Sequence, residues 1–206
     1  MGKSNGLKTK LFPIIVFSTI LFAILVPLGT LIHELFHLVS AFALGCDAQL
    51  HHSSIDYQHC QILNKYCQSI LGEMVCLSDF LITLAGPLGT LIVSLTGLWL
   101  LTNKTLGVYR EVLAVALSLF HLRITANAFV GLLFGRYSLS TDETVIAGYL
   151  HLNEIIMTIL VHSISLVIVG LLLKTLGWKK MGFYFLTGLS GFIMGYFFYF
   201  RWLPEW

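Results

Sequence analysis

Charged side chains are scarce in this sequence. Only 11% of its 206 residues are Asp, Glu, Lys or Arg, while 57% are hydrophobic and the mean hydropathy is +0.86. A soluble domain carries about 25% charged residues, so the composition excludes one and predicts a multi-pass integral membrane protein surrounded by the lipid bilayer. The net charge of +2 is too small to indicate a nucleic-acid or other acidic partner.

Long polar segments are also few. The hydrophobic run that begins at Leu11 continues to Leu44, well past the core of a signal peptide, which is about 7 to 15 residues long, so we expect it to be retained. As a helix the run would be about 51 Å long, against a hydrocarbon core of about 30 Å. We therefore expect a bend near Pro27, because proline removes a backbone hydrogen bond.

Four more hydrophobic segments follow this run. We predict an all-α bundle of about five to six transmembrane helices, forming a single membrane-embedded domain over residues 1–206. The five full spans are residues 11–44, 80–101, 112–134, 153–173 and 181–200.

Cysteine is absent outside one polar segment, residues 45–78, which follows the first long helix. Its four cysteines are Cys46, Cys60, Cys67 and Cys76. One or two disulfides on an oxidising side of the membrane explain this clustering, and three pairings are open. A metal site made by these cysteines and nearby histidines is the alternative, but no C-x-x-C pair favours it. A small β-hairpin in this segment is compatible with its polar, strand-like character.

Basic residues are distributed unevenly between the two ends of the predicted spans. Eight share one side: Lys3, Lys8, Lys10, Lys104, Arg110, Lys174, Lys179 and Lys180. The other side has Lys65, Arg136 and Arg201. Because cytoplasmic loops carry the excess of Lys and Arg, we predict a cytoplasmic N-terminus. The cysteine segment and the far end of the first span then share the opposite side.

An H-E-x-x-H motif, formed by His33, Glu34 and His37, lies inside the first hydrophobic run. On a helix, residues four apart project from one face at a separation of about 6 Å, so both imidazoles can bind one metal ion. Glu34 lies beside them, where it can take a proton from a metal-bound water, as in zinc hydrolases. Such ionisable groups are costly in a bilayer, which favours a functional role over an ordinary buried polar cluster.

A site of this kind needs a third protein ligand. Asp142 and Glu143 follow a turn at residues 135–141 on the predicted side of the two histidines. Either carboxylate could complete a three-ligand site that leaves the fourth position to water, as catalytic zinc does. Acidic residues at a helix start are also explained by the helix dipole alone. In the preceding span we expect Arg123 to face the bundle interior or a water-filled cavity. Asn127 is expected to hydrogen-bond across helices or to hold a substrate backbone.

The second span begins with small residues. Gly86 and Gly89 allow another helix to approach closely, because neither carries a Cβ atom. Pro87 has no backbone N–H and therefore frees one carbonyl for another partner. By themselves these residues predict only a helix-packing contact.

Together these residues resemble the site-2 protease family of intramembrane zinc metalloproteases. That family carries H-E-x-x-H on one membrane helix, a small-residue Ala-Gly-Pro element on a following helix, and an Asp ligand near the start of a later one. The matches are residues 33–37, 85–87 and Asp142, and they cover roughly residues 20–150, which would be the catalytic core. The resemblance implies that Asp142, rather than Glu143, is the third zinc ligand.

The chain departs from that family in two respects. Members often have Leu-Asp-Gly around the ligand and an Asn-x-x-Pro element before it, whereas no proline lies between Asn127 and Asp142 here. Members also commonly place the zinc nearer the cytoplasm, whereas the basic residues put this site on the opposite side. A re-entrant helix pair over residues 11–44 would reverse that placement.

The sequence thus predicts a zinc (Zn2+) metalloprotease that hydrolyses a peptide bond of a membrane protein or peptide substrate in or next to the bilayer. His33, His37 and Asp142 would be the metal ligands and Glu34 the catalytic residue. Two alternatives use the same residues. One is a catalytically silent member of the fold that binds a membrane partner or lipid, and the other is a metal transporter.

Overall fold

The computed structural model describes residues 5–51, 54–62, 67–70, 73–102, 107–122, 125 and 142–199. Its helices are α1 (Asn5–Ala43), α2 (Leu77–Leu101), α3 (Val108–Ser118), α4 (Asp142–Tyr149), α5 (Glu154–Leu176) and α6 (Trp178–Phe197). Its strands are β1 (Asp47–Leu50), β2 (Ile55–Gln58), β3 (Cys67–Ile70) and β4 (Glu73–Cys76). The fold is therefore mainly helical, and all four described strands lie in the cysteine segment.

Three described helices are long and apolar enough to cross a membrane: residues 11–43 of α1, α2, and α5. They match the first, second and fourth predicted spans and support a membrane protein. The predicted number of five to six spans is too high for the described part of the chain. α3 ends at Ser118, and α6 is less apolar because it contains Lys179, Lys180 and several glycines.

α1 is a single helix of 39 residues with Pro13 and Pro27 in its interior. The alternative of a re-entrant pair over residues 11–44 is therefore wrong. The helix also runs through Pro27 without ending there. This continuity keeps the H-E-x-x-H motif on the same helix as the N-terminal hydrophobic residues.

A glycine cap ends α1, as its position in the sequence suggests. Gly45 has a φ of +70°, a left-handed conformation that only glycine adopts at little cost. Its N–H bonds to the Phe42 carbonyl at 3.0 Å, and the Cys46 N–H bonds to the Ala41 carbonyl at 3.0 Å. This pair of bonds is a Schellman motif, which satisfies the last helical carbonyls and turns the chain into β1.

The cysteine segment folds into two antiparallel hairpins, β1–β2 and β3–β4. Two disulfides close them: Cys46 pairs with Cys60, and Cys67 pairs with Cys76. The predicted disulfides are thus present, and the alternative of a cysteine-based metal site is wrong because all four thiols are used. The small β-hairpin considered for this segment is thus present, and the described residues form two hairpins rather than one.

The chain divides into two compact units. The first comprises residues 1–29, 93–120 and 168–204. Within it, α6 packs closely on α1, where Gly191 and Gly195 lie against the α1 backbone and the Ser18 and Thr187 hydroxyls are 2.8 Å apart. The Glu111 carboxylate accepts hydrogen bonds from the Lys180 ammonium and the Tyr184 hydroxyl, both at 2.9 Å.

The second unit comprises residues 30–92, 121–167 and 205–206. One of its buried clusters joins the end of α1, the first hairpin and α2, and contains Ala41, Cys46, Ile82, Leu44, Ala48, Ile55, Tyr57 and Cys60. Another joins α4, α5 and the start of α2, and contains Ile146, Ala147, Met157, Val161, Phe80 and Leu84. All the predicted site residues that the structure describes lie in this unit.

Candidate metal centre

The H-E-x-x-H motif lies on the last three turns of α1. His33, Glu34 and His37 are only 5%, 8% and 5% exposed. The two imidazole rings meet edge to face with centroids 4.6 Å apart, as expected for residues one helical turn apart. Burial of three ionisable groups at one point is expensive unless they are paired or bind a metal.

Asp142, the first residue of α4, brings its carboxylate to the two imidazoles. Its Oδ2 atom lies 2.8 Å from His33 Nε2 and 3.4 Å from His37 Nε2. The two Nε2 atoms are 3.0 Å apart. Three potential ligand atoms therefore converge on one point. Asp142 lies 105 residues after His37 in the sequence, so only the fold brings them together.

The second nitrogen of His37 determines what its Nε2 can do. His37 Nδ1 lies 2.6 Å from the Ile82 carbonyl oxygen, and because a carbonyl can only accept, Nδ1 must carry the proton. In a neutral ring Nε2 then carries a lone pair that can bind a metal, whereas in a protonated ring Nε2 carries a proton that it can donate to Asp142. An N–H to carbonyl bond of this kind is how metal-binding histidines are usually oriented.

The three atoms lie at, or a few tenths of an ångström inside, the spacing of ligand atoms around a small divalent cation. Zinc with ligands at about 2.0 to 2.1 Å in a tetrahedral arrangement has neighbouring ligand atoms about 3.3 to 3.4 Å apart. The distances here are 2.8, 3.0 and 3.4 Å. Three electron-rich atoms at such distances need protons or a cation between them, so the two imidazoles and the carboxylate could hold a metal ion.

Burial and charge act in opposite directions on Asp142. Burial by itself raises the pKa of the Asp142 carboxyl, but hydrogen bonds and charge from His33 and His37 outweigh it and hold that pKa well below its usual range. The carboxylate is therefore the form present at neutral pH. An ionised carboxylate is also the form that binds a metal.

α2 forms the wall of the site opposite the motif. A Cβ atom at Gly86 would lie 2.7 Å from His33 Cε1 and would overlap the His37 ring, and one at Gly89 would overlap the Phe36 ring. The predicted close approach of the two helices at these glycines is thus confirmed. Glycine is needed at position 86 because any side chain there would occupy the space of the imidazoles.

Two backbone carbonyls of α2 also contact α1. The Ile82 carbonyl accepts from His37, and the Leu81 carbonyl accepts from the Ser40 hydroxyl at 3.4 Å. Pro87 lacks the N–H that would bond to Thr83, so the carbonyl that proline frees is the immediate neighbour of the one that orients His37. The carbonyl that Pro87 frees is that of Thr83, whereas the carbonyl that accepts from His37 is that of Ile82, one residue earlier.

α4 is held in place by its C-terminal half. The Tyr149 ring stacks on Phe80 of α2 at a centroid distance of 4.6 Å, and Ile146 and Ala147 are buried in the cluster with α5. α4 also contacts β3. These contacts fix the helix that carries Asp142 against elements of the same unit.

The remaining predicted residues have different positions. Glu34 is buried between the two histidines of the motif in sequence, and its carboxylate interacts electrostatically with His37. It is not one of the three converging ligands. Glu143 is half-buried and does not join the group of potential ligands among the described residues. Arg123 and Asn127 lie outside the residues that the structure describes.

Sequence reasoning missed two contributors to this site, Ile82 and Tyr57. Ile82 acts through its backbone carbonyl, and the residue type gives no sign of this because every residue has one. Tyr57 lies in β2, in the cluster with Ile82, and burial together with the neighbouring Asp79 carboxylate raises the pKa of Tyr57 above its usual value. The alternation of apolar and polar residues over Ile55–Gln58 could have placed Tyr57 on the inner face of a strand.

Comparisons of this chain with protein-family models, curated proteins and solved structures find no match.

Proposed function

We propose that this chain is an integral membrane, zinc-dependent peptidase. In this proposal His33, His37 and Asp142 hold Zn2+, and Glu34 is the general base. The observation that carries the proposal is the convergence of two imidazole nitrogens and one carboxylate oxygen within 3.4 Å of each other, with a buried glutamate at the next position of the helix. Three ligands of this type leave a coordination position for water, as hydrolytic zinc sites do.

A zinc ion held there would polarise a carbonyl group and make water a stronger acid. The protein residues have separate parts in this chemistry. The Glu34 carboxylate accepts the proton from the attacking water and can pass it to the leaving amine. The Ile82 carbonyl holds the His37 ring in one tautomer. Burial of the motif lowers the local dielectric constant, which strengthens the electrostatic interactions on which the reaction depends.

The substrate class follows from where the motif lies. His33, Glu34 and His37 belong to residues 11–43, a segment long and apolar enough to span a membrane. A peptide bond that reaches Glu34 must therefore be presented from within the bilayer or its edge. The proposed substrate is a membrane protein or a membrane-inserted peptide.

The test compares the cleavage rate and the zinc content after loss of the carboxylate at position 34 with those after loss of a carboxylate at an exposed position. Purified protein is reconstituted in liposomes with a library of fluorescence-quenched transmembrane peptides, and zinc is measured by mass spectrometry. Glu34→Gln should keep about one zinc per chain and lose more than about 100-fold in cleavage rate, because the amide cannot accept the proton. Glu154→Gln, at an exposed position of α5, is the matched control and should cleave normally.

Two results would contradict the proposal. Full cleavage by Glu34→Gln would show that Glu34 is not the general base. The absence of zinc from the wild-type protein would contradict the proposed metal site. Bound zinc without cleavage of any peptide would instead favour the catalytically silent alternative that binds a membrane partner or lipid.

A further inference from the structure

The first compact unit carries most of the positive charge of the chain. Its ranges, residues 1–29, 93–120 and 168–204, contain nine Lys and Arg residues and one acidic residue, Glu111, which gives a net side-chain charge of +8. The ranges of the second unit contain three Lys and Arg residues and nine acidic ones, a net charge of −6. The net charge of +2 for the whole chain therefore conceals a strongly basic unit, and such a unit attracts anions.

The one acidic residue of the first unit is neutralised within it. The Glu111 side chain is 17% exposed, and each of its carboxylate oxygens accepts a hydrogen bond of 2.9 Å from the Lys180 ammonium. The Tyr184 hydroxyl donates a third bond of 2.9 Å to the same carboxylate. This ion pair joins the first turn of α3 to the first turn of α6. The sequence of the unit contains no second carboxylate for its other basic residues.

α1 and α6 begin at the same end of this unit. The two helices run in the same direction, because the Ser18 hydroxyl lies 2.8 Å from the Thr187 hydroxyl and the α1 backbone at Ala23 lies against Gly195. Trp178, the first residue of α6, is nine residues before Thr187. Since each helical residue adds the same rise, the start of α6 lies level with the first turns of α1.

α3 begins at this end as well, because the Tyr109 ring of its first turn meets the Phe17 ring of α1 edge to face, with centroids 5.0 Å apart. Exposed basic and aromatic side chains therefore lie together here. Trp178 is 80% exposed and Tyr109 51% exposed. We define the basic end of the unit by its exposed basic residues in α3, α5 and α6 and by the two lysines in the first turns of α1, which are Arg110, Lys174, Lys179, Lys8 and Lys10.

The basic end lies where candidate membrane spans begin and end. The apolar segment of α1 starts at Leu11, directly after Lys10, and α5 ends two residues after Lys174. The basic residues therefore lie at the bilayer surface, where each Lys or Arg attracts anionic headgroups. Exposed Trp and Tyr are typical of the same level of a membrane, because their rings are partly apolar and partly polar.

We propose that the basic end of the first unit binds the headgroups of anionic phospholipids in the leaflet that it faces. In the predicted orientation this is the cytoplasmic leaflet, in which anionic lipids produce a negative surface potential. The inference goes beyond the proposed peptidase and does not depend on the metal site, because His33, His37 and Asp142 belong to the second unit.

The test measures lipid binding to the full-length protein in detergent by native mass spectrometry. Phosphatidylglycerol and phosphatidylcholine with the same acyl chains are the two probes. The wild type should bind phosphatidylglycerol at least about tenfold more tightly, since each basic residue contributes about fivefold to the affinity for an anionic lipid. The triple variant Arg110→Gln, Lys174→Gln, Lys179→Gln should lose at least about tenfold in this affinity and bind phosphatidylcholine as before.

The matched control keeps the three charges. Arg110→Lys, Lys174→Arg, Lys179→Arg should bind phosphatidylglycerol as the wild type does, because the attraction depends on charge and not on one hydrogen-bond geometry. Equal affinity of the wild type for the two lipids would overturn the proposal and favour an acidic segment of another protein as the partner. Unchanged phosphatidylglycerol binding by the triple glutamine variant would overturn it too.

A single substitution keeps the proposal testable if the triple variant cannot be purified in folded form. Lys179→Gln changes one exposed side chain of α6 and should weaken phosphatidylglycerol binding about fivefold. Wild-type affinity in this variant would again overturn the role of the basic end. Zinc content should be the same in all these variants, so failure of this inference and failure of the proposed metal site are distinguishable.

Discussion

Asp142, at the start of α4, differs from its neighbour Glu143 in the direction in which its side chain projects from the helix. Asp142 and Glu143 are both acidic, both in the first turn of the helix, and both favoured there by the helix dipole. Only the Asp142 carboxylate reaches His33 and His37. Adjacent residues on a helix point about 100° apart, so one position can complete a site while the next cannot.

The choice between these two acids is a residue-scale prediction. Asp142→Asn keeps the size of the side chain and removes its charge, and should weaken zinc binding by more than about 100-fold, since a lost ligand costs more than a lost outer-shell partner. Glu143→Gln should change zinc affinity little. Competition titrations with a fluorescent zinc chelator measure both. The reverse pattern would make Glu143 the third ligand.

Gly86 gives a second prediction at this scale. A methyl group at this position would overlap the His33 and His37 rings, so Gly86→Ala should displace at least one imidazole and reduce zinc content to well below one per chain. Gly170→Ala is the matched control, because a Cβ there meets no atom within 4 Å and alanine favours the helix by about 1 kcal/mol. Normal zinc content in Gly86→Ala would contradict the proposed position of the metal.

At the scale of elements, much could be predicted from local signals. The H-E-x-x-H spacing identified His33 and His37 because helical geometry alone places them on one face. The pairing of the cysteines could not be predicted, since it depends on the register that places Cys67 opposite Cys76. The role of Ile82 could not be predicted either, because every residue has a carbonyl group.

The number of spans shows a different limit of sequence reasoning. Hydropathy identified α1, α2 and α5 correctly, because continuous apolar runs need no tertiary information. It joined residues 112–134 in one span, whereas α3 ends at Ser118 and residues 119–121 form a turn. Residues 123–124 and 126–134 of that predicted span lie outside the residues that the structure describes. Apolar residues continue past that point, so composition could not show where the helix stops.

The first hairpin provides a prediction for an element. The Cys46–Cys60 disulfide closes a sequence separation of 14 residues and Cys67–Cys76 one of 9. A longer closed loop restricts the unfolded chain more, so the Cys46→Ala, Cys60→Ala double variant should lose about 2 to 4 kcal/mol of stability. The Cys67→Ala, Cys76→Ala variant should lose less. Thermal unfolding in detergent without reductant compares the two, and an equal or reversed order would contradict this account.

For the whole molecule, the side of the membrane on which the first hairpin lies remains a prediction. It depends on the excess of Lys and Arg at one set of loop ends, which predicts a cytoplasmic N-terminus. The two disulfides of the cysteine segment support that placement independently, because disulfides persist on the oxidising side of a membrane.

Cysteine labelling of intact cells tests this placement directly, because all four native cysteines are paired and an introduced one is the only free thiol. Gln58→Cys, on the exposed face of β2, should react with a membrane-impermeant maleimide added outside. Lys179→Cys, at an exposed position in the first turn of α6, should react only after the membrane is permeabilised. The reverse pattern would put the hairpin in the cytoplasm. The positive-inside assignment would then be wrong, and the disulfides would have to form in a reducing compartment.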